Sequence, residues 1–456
     1  MRIGIVGAGA SGVLVAIHLL RRAGGNADGI PVGLIEVVLI DPNPPGRGVA
    51  YGTRDPRHLL NVRAAGMSAL PDAPDHFRAW AGAHDDDYLP RMRYAEYLQQ
   101  VLEESAAGSR ARLVVVPEQV VDLQHSADGV TLTLANADVL VVDAVVLATG
   151  NAPARCPDAI AVSDAARERV HPHAWSLPPA VAGAHTLVLG SGLTAVDVAI
   201  SRLSAGDNTR VTMVSRHGFL PQPHDEPWIA PTPDPVVTPA EIAAGLPLHE
   251  ALHRLQGCSD AWRQRVDALR PVTQGLWQTM TIDQKRQFLR HAERFWEVHR
   301  HRMPAAIADQ LQRWRDQGRL QVVAMDVSSI QTRMSDDGSP ATVVMQGRDG
   351  REVFGDDLVI ATGPASPVGG NGLVSALVER EVLTHDALGL GLAMDPSSAR
   401  AHTAAGHPHD NIFVVGPLAK GTLWETTAVP DIRGAAARLA EFLLTEGPSG
   451  ERVNLR

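Results

Sequence analysis

The sequence predicts an α/β protein that uses one structural plan twice, and three observations carry that prediction. Gly7, Gly9 and Gly12 stand as G-x-G-x-x-G between a short apolar run and a longer one of helical character. Gly190, Gly192 and Ala195 repeat the spacing as G-x-G-x-x-A in the same setting. Ala148-Thr149-Gly150 and Ala361-Thr362-Gly363 each close a later β-rich stretch. Strand, glycine turn and helix, found twice in one chain, predict two Rossmann-like dinucleotide-binding domains, each with a β-meander.

Residues 2–6 form a buried strand on this reading, because the apolar run is short and glycine cuts it off. Gly7 permits the tight turn, Gly9 lets the backbone approach a pyrophosphate, and Gly12 allows close helix–strand packing. Residues 13–20 continue as an apolar-faced helix. The pyrophosphate sits on that helix's N-terminus, where unpaired N–H groups and the helix dipole favour an anion. Asp41 ends the second strand and takes both hydroxyls of an adenosine ribose. It lies further from Gly12 than the usual 20 or so residues, so residues 24–36 are expected to be an inserted loop. The bland alternative is a glycine-rich surface turn that binds nothing. Strand, glycines, helix and acid in one unit argue against it.

A length of 456 residues suggests two or three domains. With 45% hydrophobic and 20% charged residues the composition is that of a globular protein. A net charge of −10 argues against nucleic acid or an anionic membrane as main partner. Cys156 and Cys258 are far apart, so no disulfide framework, metal site or dithiol centre is expected. No 18-residue apolar span stands out, and a cytoplasmic enzyme is the default expectation.

Residues 42–70 are dense in proline and glycine and read as an ordered loop. A long irregular stretch directly after a dinucleotide-binding acid is more often functional than a mere connection. Residues 77–80 and 94–102 read as short helices. Residues 111–150 hold four β-rich runs, expected to form a meander that returns to the main sheet. The second unit follows the same grammar: strand 186–189, the glycine turn, helix 196–203, strand 211–214, and a second meander from about 319 to Gly363.

The ends of the two second strands differ, and the difference assigns the ligands. Asp41 suits the free ribose of FAD and would repel a 2′-phosphate. In the second unit Arg216 takes that place, with His217 beside it, and a cation accommodates the 2′-phosphate of NADP. NADPH is therefore expected over NADH; a solvated basic turn is the alternative.

With these motifs in place, the chain resembles the two-dinucleotide-binding-domain flavoproteins, and among them the class B flavin-dependent monooxygenases, which include N-hydroxylating, flavin-containing and Baeyer–Villiger enzymes. His171-Pro-His-Ala-Trp175 is similar to the H-x-x-x-W part of the monooxygenase fingerprint. The F-x-G that precedes it is replaced by Ala165 and Arg167, which points away from the Baeyer–Villiger branch. GVAYG, HLLNVRAAGMS, RFWEVHRHRMP and GPLAKGTLWETTAVPDIR resemble a bacterial family known only as FAD/NAD(P)-binding proteins.

The resemblance implies roles for particular residues. Gly7, Gly9, Ser11, Gly12 and Asp41 would hold the ADP half of FAD. The loop from Gly48 through Tyr51 and Asn61 to Met67 would lie along the flavin, with Ala148, Thr149 and Gly150 beside the cofactor. Asn61 is similar to the asparagine that faces flavin C4a in flavin-containing monooxygenases; its alternative is a turn-stabilising amide bonded to its own backbone. Gly190, Gly192, Thr194, Ala195, Arg216, His217, Thr362 and Gly363 would serve NADPH. Gly416, Thr422 and Trp424 would bring the C-terminal segment to the flavin, with a helix starting near Ala428 aimed at its pyrimidine end. Asn61, His171 and Trp175 are the catalytic candidates, and no metal is implied.

The expected domains are 1–165 and 364–456 for FAD and 166–363 for NAD(P)H, with a helical insertion at about 221–318. Helices are expected over 239–255, 260–268, 282–302 and 304–317. His299 and His301 fall on different helix faces, so they do not make a metal pair. Three functions remain open. The first is a monooxygenase that uses O₂ through a C4a-peroxyflavin on a small soft nucleophile, with amine or amino-acid N-hydroxylation favoured. The second is an NADPH:acceptor reductase or dehydrogenase. The third is a non-catalytic FAD binder. A homo-oligomer is compatible with each.

Overall fold

The computed structural model describes residues 1–24, 35–126, 129–231, 234–256, 261–333 and 342–447. The loop expected at 24–36 falls, apart from its ends, outside the described residues, as does Cys258.

Two parallel sheets carry the molecule. The first has six strands in the order Arg400–His402, Pro408–Val414, Ala144–Leu147, Arg2–Val6, Glu36–Ile40 and Arg112–Val116. All neighbours are parallel except Arg400–His402, which runs antiparallel to Pro408–Val414. The second has five parallel strands in the order Leu320–Ala324, Arg210–Ser215, His185–Leu189, Asp357–Ile360 and Val170–His171. In each sheet the strand before the glycine turn is central and carries its successor on one side. On its other side lies the strand that ends in Ala-Thr-Gly. Strands buried on both faces read as continuous apolar runs rather than alternations, and RIGIV, EVVLI and HTLVL do so.

Helices Ala10–Gly24, Arg91–Ala107 and Val429–Thr445 pack on one face of the first sheet around Ile17, Tyr97 and Leu443. Helices Leu193–Leu203 and Ala305–Asp316 do the same for the second, around Ala199, Leu311 and Trp314. The meander expected over 111–150 needs correction at its start. Arg112–Val116 pairs in parallel with Glu36–Ile40 and is the edge of the main sheet. Only Val120–Ser126, Gly129–Leu134 and Val139–Val142 form the meander. Its counterpart consists of Val327–Arg333, Thr342–Gly347 and Glu352–Gly355, joined by the short strand Ala161–Val162.

The helical region is more broken than periodicity suggests. Helix Pro239–Ala243 stops at Gly245, whose φ is +93°, and Pro247 separates it from Leu248–Gln256. The stretch 282–302 is two helices, Ile282–His291 and Glu293–Arg300, parted at buried Ala292. Thr238 with Glu241 and Thr281 with Gln284 make capping boxes that start two of these helices. Thr273–Thr279 adds a helix beyond those expected. Trp277, Phe288 and Trp296 form the core of the region, and Trp424 from the C-terminal segment joins them.

Candidate functional site

The first glycine turn is a cradle made by close backbone contact. Gly7 adopts φ +104°, and a Cβ there would overlap the carbonyl of Ala148. A Cβ at Gly12 would overlap the carbonyl of Gly7. Gly48 crosses directly above: a Cβ on it would lie 3.0 Å from Gly9 Cα. Gly416, at φ +77°, presses on Ser11. Asp41 accepts the Ala8 N–H at 2.8 Å and, on its other oxygen, the Asn43 N–H at 2.8 Å. The oxygen facing Ala8 keeps a further lone pair for a ribose hydroxyl, while the other also accepts from the Asn43 side-chain amide at 3.2 Å. Beside the turn the Thr149 hydroxyl is buried without a partner among the described residues. Buried polar groups are nearly always satisfied, so the orphan hydroxyl and the glycine cradle fit a bound dinucleotide.

The second turn is looser. Gly190 adopts φ +124° and abuts the carbonyl of Ala361, as Gly7 abuts that of Ala148. Gly192 is the N-cap of Leu193–Leu203, and a Cβ on it would meet nothing within 4 Å, which leaves open space over the helix N-terminus. Thr194 is half-buried on the first helical turn and Ala195 is fully buried. Ser191 ties this loop to the end of the next strand, donating to Phe219 O at 2.6 Å and meeting Ser215 Oγ at 2.8 Å. Arg216 and His217 are exposed, and Arg216 makes no ion pair among the described residues. His217 stacks on Phe219 at 5.5 Å, next to a groove of about 360 Å³ lined by Gly218, Leu220, Phe295 and Arg315. Thr362 differs from Thr149: its hydroxyl donates to Arg155 O at 3.0 Å, while Gly363 takes φ +90°.

Several expected site residues have other surroundings. Tyr51 is buried against Tyr94 at 4.8 Å, and burial pushes its phenol up to about 12. Met67 is buried in the same core. Their side chains fill the interior, while Gly48 of the same loop meets the glycine turn. His171 turns towards Asp357, 3.5 Å away, at the end of the second sheet opposite its glycine turn. Arg202, buried, pairs with the same carboxylate at 3.1 Å. The His171 side chain thus sits beside an Asp357–Arg202 pair rather than at the glycine turn. Trp175 meets His58 edge-on at 5.4 Å and lies beneath Arg91, making it an interdomain packing residue. Trp424, at φ +63°, stacks on Trp277 at 4.6 Å and anchors the helical region. Thr422, half-buried two residues earlier, makes no side-chain hydrogen bond among the described residues.

Asn61 lies where the first domain meets the helical region. Its carbonyl accepts from His224 Nε2 at 3.0 Å, and its side-chain amide is not bonded to its own turn. Around it stand Tyr88, whose ring is 5.4 Å from that of His224, and Arg63, which lies over Trp228 at 3.9 Å. Burial pushes the Tyr88 phenol up and holds His224 down at about 4, so both are neutral. The Tyr88 hydroxyl is buried and has no partner among the described residues. A second polar cluster joins the helical region to the C-terminal helix. Arg270 and Arg300 face Asp431 at 3.5 and 3.9 Å, and Trp296 Nε1 donates to Glu425 at 2.9 Å. Burial lowers Arg270 and raises Asp431; for Glu425 the opposing cations, Arg300 foremost, outweigh burial and hold it down. Sequence reasoning singles out Asn61 but misses its neighbours and the second cluster, since their members come from segments far apart in the chain.

Residues 4–152 match the family model described as FAD-NAD(P)-binding. The chain carries an FAD-NAD(P)-binding domain. A curated relative, the L-aspartate N-monooxygenase (nitrosuccinate-forming) of Streptomyces davaonensis, is 29% identical over 219 residues, covering 39% of this chain. The match spans 33% of that relative's own length. Among solved structures, the ornithine N-hydroxylase of Kutzneria sp. 744 superposes with a TM-score of 0.61 at 16% identity, over 96% of this chain and 97% of that one. The L-lysine 6-monooxygenase of Pseudomonas syringae follows at 0.60 and 16%, over 96% and 98%. The bacillithiol disulfide reductase of Staphylococcus aureus reaches 0.57 at 13%, over 97% and 98%. These likenesses establish the fold, that of two-dinucleotide-binding-domain flavoproteins.

Proposed function

We propose that this chain is an FAD-dependent, NADPH-consuming monooxygenase that N-hydroxylates a small amine or amino acid. The observation that carries the reading is the pair of glycine cradles with opposite charges at their strand ends, Asp41 in one and Arg216 in the other. FAD, when bound, would supply the two-electron chemistry that links NADPH oxidation to O₂. The net change is one amine, one O₂, one NADPH and one proton converted to a hydroxylamine, water and NADP⁺.

On this reading the Gly7–Gly12 turn and the N-terminus of Ala10–Gly24 hold the FAD pyrophosphate, and Asp41 accepts from its ribose. Arg216 neutralises the NADPH 2′-phosphate. Asn61, its backbone held by His224, presents a neutral amide that hydrogen-bonds without supplying a mobile proton. The helical region covers this side and excludes water. The N-monooxygenase relative supports an amine substrate, and the amino-acid hydroxylases share the fold. Cys156 and Cys258 do not form a C-x-x-C motif, and burial pushes the Cys156 thiol up, which favours oxygenation over dithiol reduction.

The test is stopped-flow spectroscopy of the FAD-loaded chain, reduced by NADPH and then mixed with O₂, with product analysis over a panel of amines and amino acids. A long-lived absorbance distinct from reduced and oxidised flavin, with a hydroxylamine product, supports the proposal. Prompt reoxidation with stoichiometric H₂O₂ and no N-oxygenated product overturns it in favour of a reductase. Absence of reduction by NADPH overturns both.

A further inference from the structure

One partly buried polar network joins the two dinucleotide domains directly. Thr53, Asp55 and His58 belong to the loop that begins at Gly48 and follows the first cradle. Asp197 and Ser201 belong to Leu193–Leu203, the helix that opens at the second glycine turn. His58 Nδ1 lies 2.7 Å from Thr53 Oγ1, and its Nε2 lies 2.7 Å from Ser201 Oγ and 3.1 Å from the Asp197 carbonyl. Ser201 donates to Asp55 Oδ2 at 2.8 Å.

The protons in this network have one consistent arrangement. Ser201 donates its hydrogen to Asp55, so it accepts from His58 Nε2–H. The Asp197 carbonyl also accepts, which places the ring proton on Nε2. Nδ1 is then an acceptor for the Thr53 hydroxyl, whose oxygen takes the Asp55 N–H at 3.2 Å. The imidazole is neutral, and burial, which holds His58 below its ordinary value, agrees. Arg57 chelates Asp55, at 2.6 Å through one nitrogen and 2.8 Å through another, and keeps it ionised. A second strut runs alongside: Arg91 Nη2 is 3.2 Å from Asp197 Oδ2, and the Arg91 N–H donates to the His58 carbonyl at 2.8 Å. Leu59, the next residue, packs on the core of the second domain.

One loop thus touches the first cradle at Gly48 and grips the helix of the second at Ser201 and Asp197. We infer that loop 48–59 fixes the angle between the two nucleotide sites, with His58 and Asp55 acting as positioning residues for hydride transfer through Ser201. The inference rests on the NADPH-to-flavin reading for its kinetic consequence and not for its structural one. Hydride transfer is steep in donor–acceptor geometry, and an ångström of misplacement costs up to about a hundredfold.

The test uses the FAD-loaded full chain and Ser201→Ala, His58→Ala, their double variant, and His58→Gln, whose amide nitrogen reaches about as far as Nε2. With NADPH under anaerobic conditions, the limiting rate of flavin reduction is expected to fall about tenfold in each alanine variant, with the Kd for NADP⁺ changed less than about twofold. The double variant should be no slower than the slower single, because both act through the shared His58–Ser201 contact. His58→Gln should recover most of the rate. Independently, amide hydrogen exchange should rise in 53–59 and in Leu193–Leu203 while strand Arg2–Val6 stays protected. Unchanged exchange and an unchanged limiting rate overturn the inference, as does a loss confined to NADP⁺ affinity. If the parent chain is not reduced by NADPH yet exchange rises as expected, the functional reading fails and the interdomain clasp stands.

Discussion

The two glycine turns occupy the same place in two sheets of like topology, yet they are built to different tolerances. At the first, Gly12 has the Gly7 carbonyl where a Cβ would be, and Gly48 closes over Gly9. At the second, Ala195 takes the place of Gly12 with its methyl buried, and none of the described chain covers Gly192. The first turn is enclosed by loop 48–67, by Gly416 and by the C-terminal helix, as suits a resident cofactor. The second faces open space, as suits a nucleotide that comes and goes. The same motif serves retention or exchange according to what the rest of the chain lays over it.

The largest way to break this comparison is to add one methyl to each turn. Gly12→Ala forces helix and strand apart and is expected to cost about 3 kcal/mol and to yield protein without bound flavin, seen as a lowered Tm and a colourless preparation. Gly192→Ala, at φ −79° with free space around it, should leave Tm and flavin content unchanged and weaken only NADPH. Equal damage at both turns would refute the asymmetry.

The charges sharpen it next. Arg216→Ala should raise KM for NADPH about 10- to 100-fold, the contribution of one charged contact to a phosphate, while leaving KM for NADH nearly unchanged. Asp41→Ala should weaken FAD about tenfold, since it removes the acceptor for Ala8 N–H and for the ribose, without changing the NADPH preference.

The smallest expected effect is on pH dependence, and it belongs to the enclosed side. Burial holds His18, in the first helix, and His224, beside Asn61, at about 4, below the ordinary 6.5. As pH falls through 6.5 the unfolded chain takes up protons before the folded one, so stability is complete above 6.5 and is lost on the way down to about 4. Thermal unfolding from pH 7.5 to 4.5 should show this decline, and His18→Leu should shallow it.

Much of the fold is legible in the sequence because its signals are local. Glycine spacing, apolar runs and a strand-ending acid all lie within a few dozen residues, and the backbone rules that connect them act at that range. The edge strand Arg112–Val116 reads as part of the meander because periodicity carries no record of pairing partners. The helical stretch 282–302 reads as one helix because the break at Ala292 is made by tertiary packing, with no glycine or proline to mark it.

The sequence by itself determined two nucleotide-binding units, their glycine turns and the opposite charges at Asp41 and Arg216, since each rests on short-range geometry. Only the tertiary structure decided that Tyr51, Met67 and Trp424 are core, that His171 serves Asp357, and that Trp175 and His58 meet between domains. His58 and Ser201 stand 143 positions apart in the chain. Such a contact exists only once both sheets have formed, and no local pattern of residues encodes it.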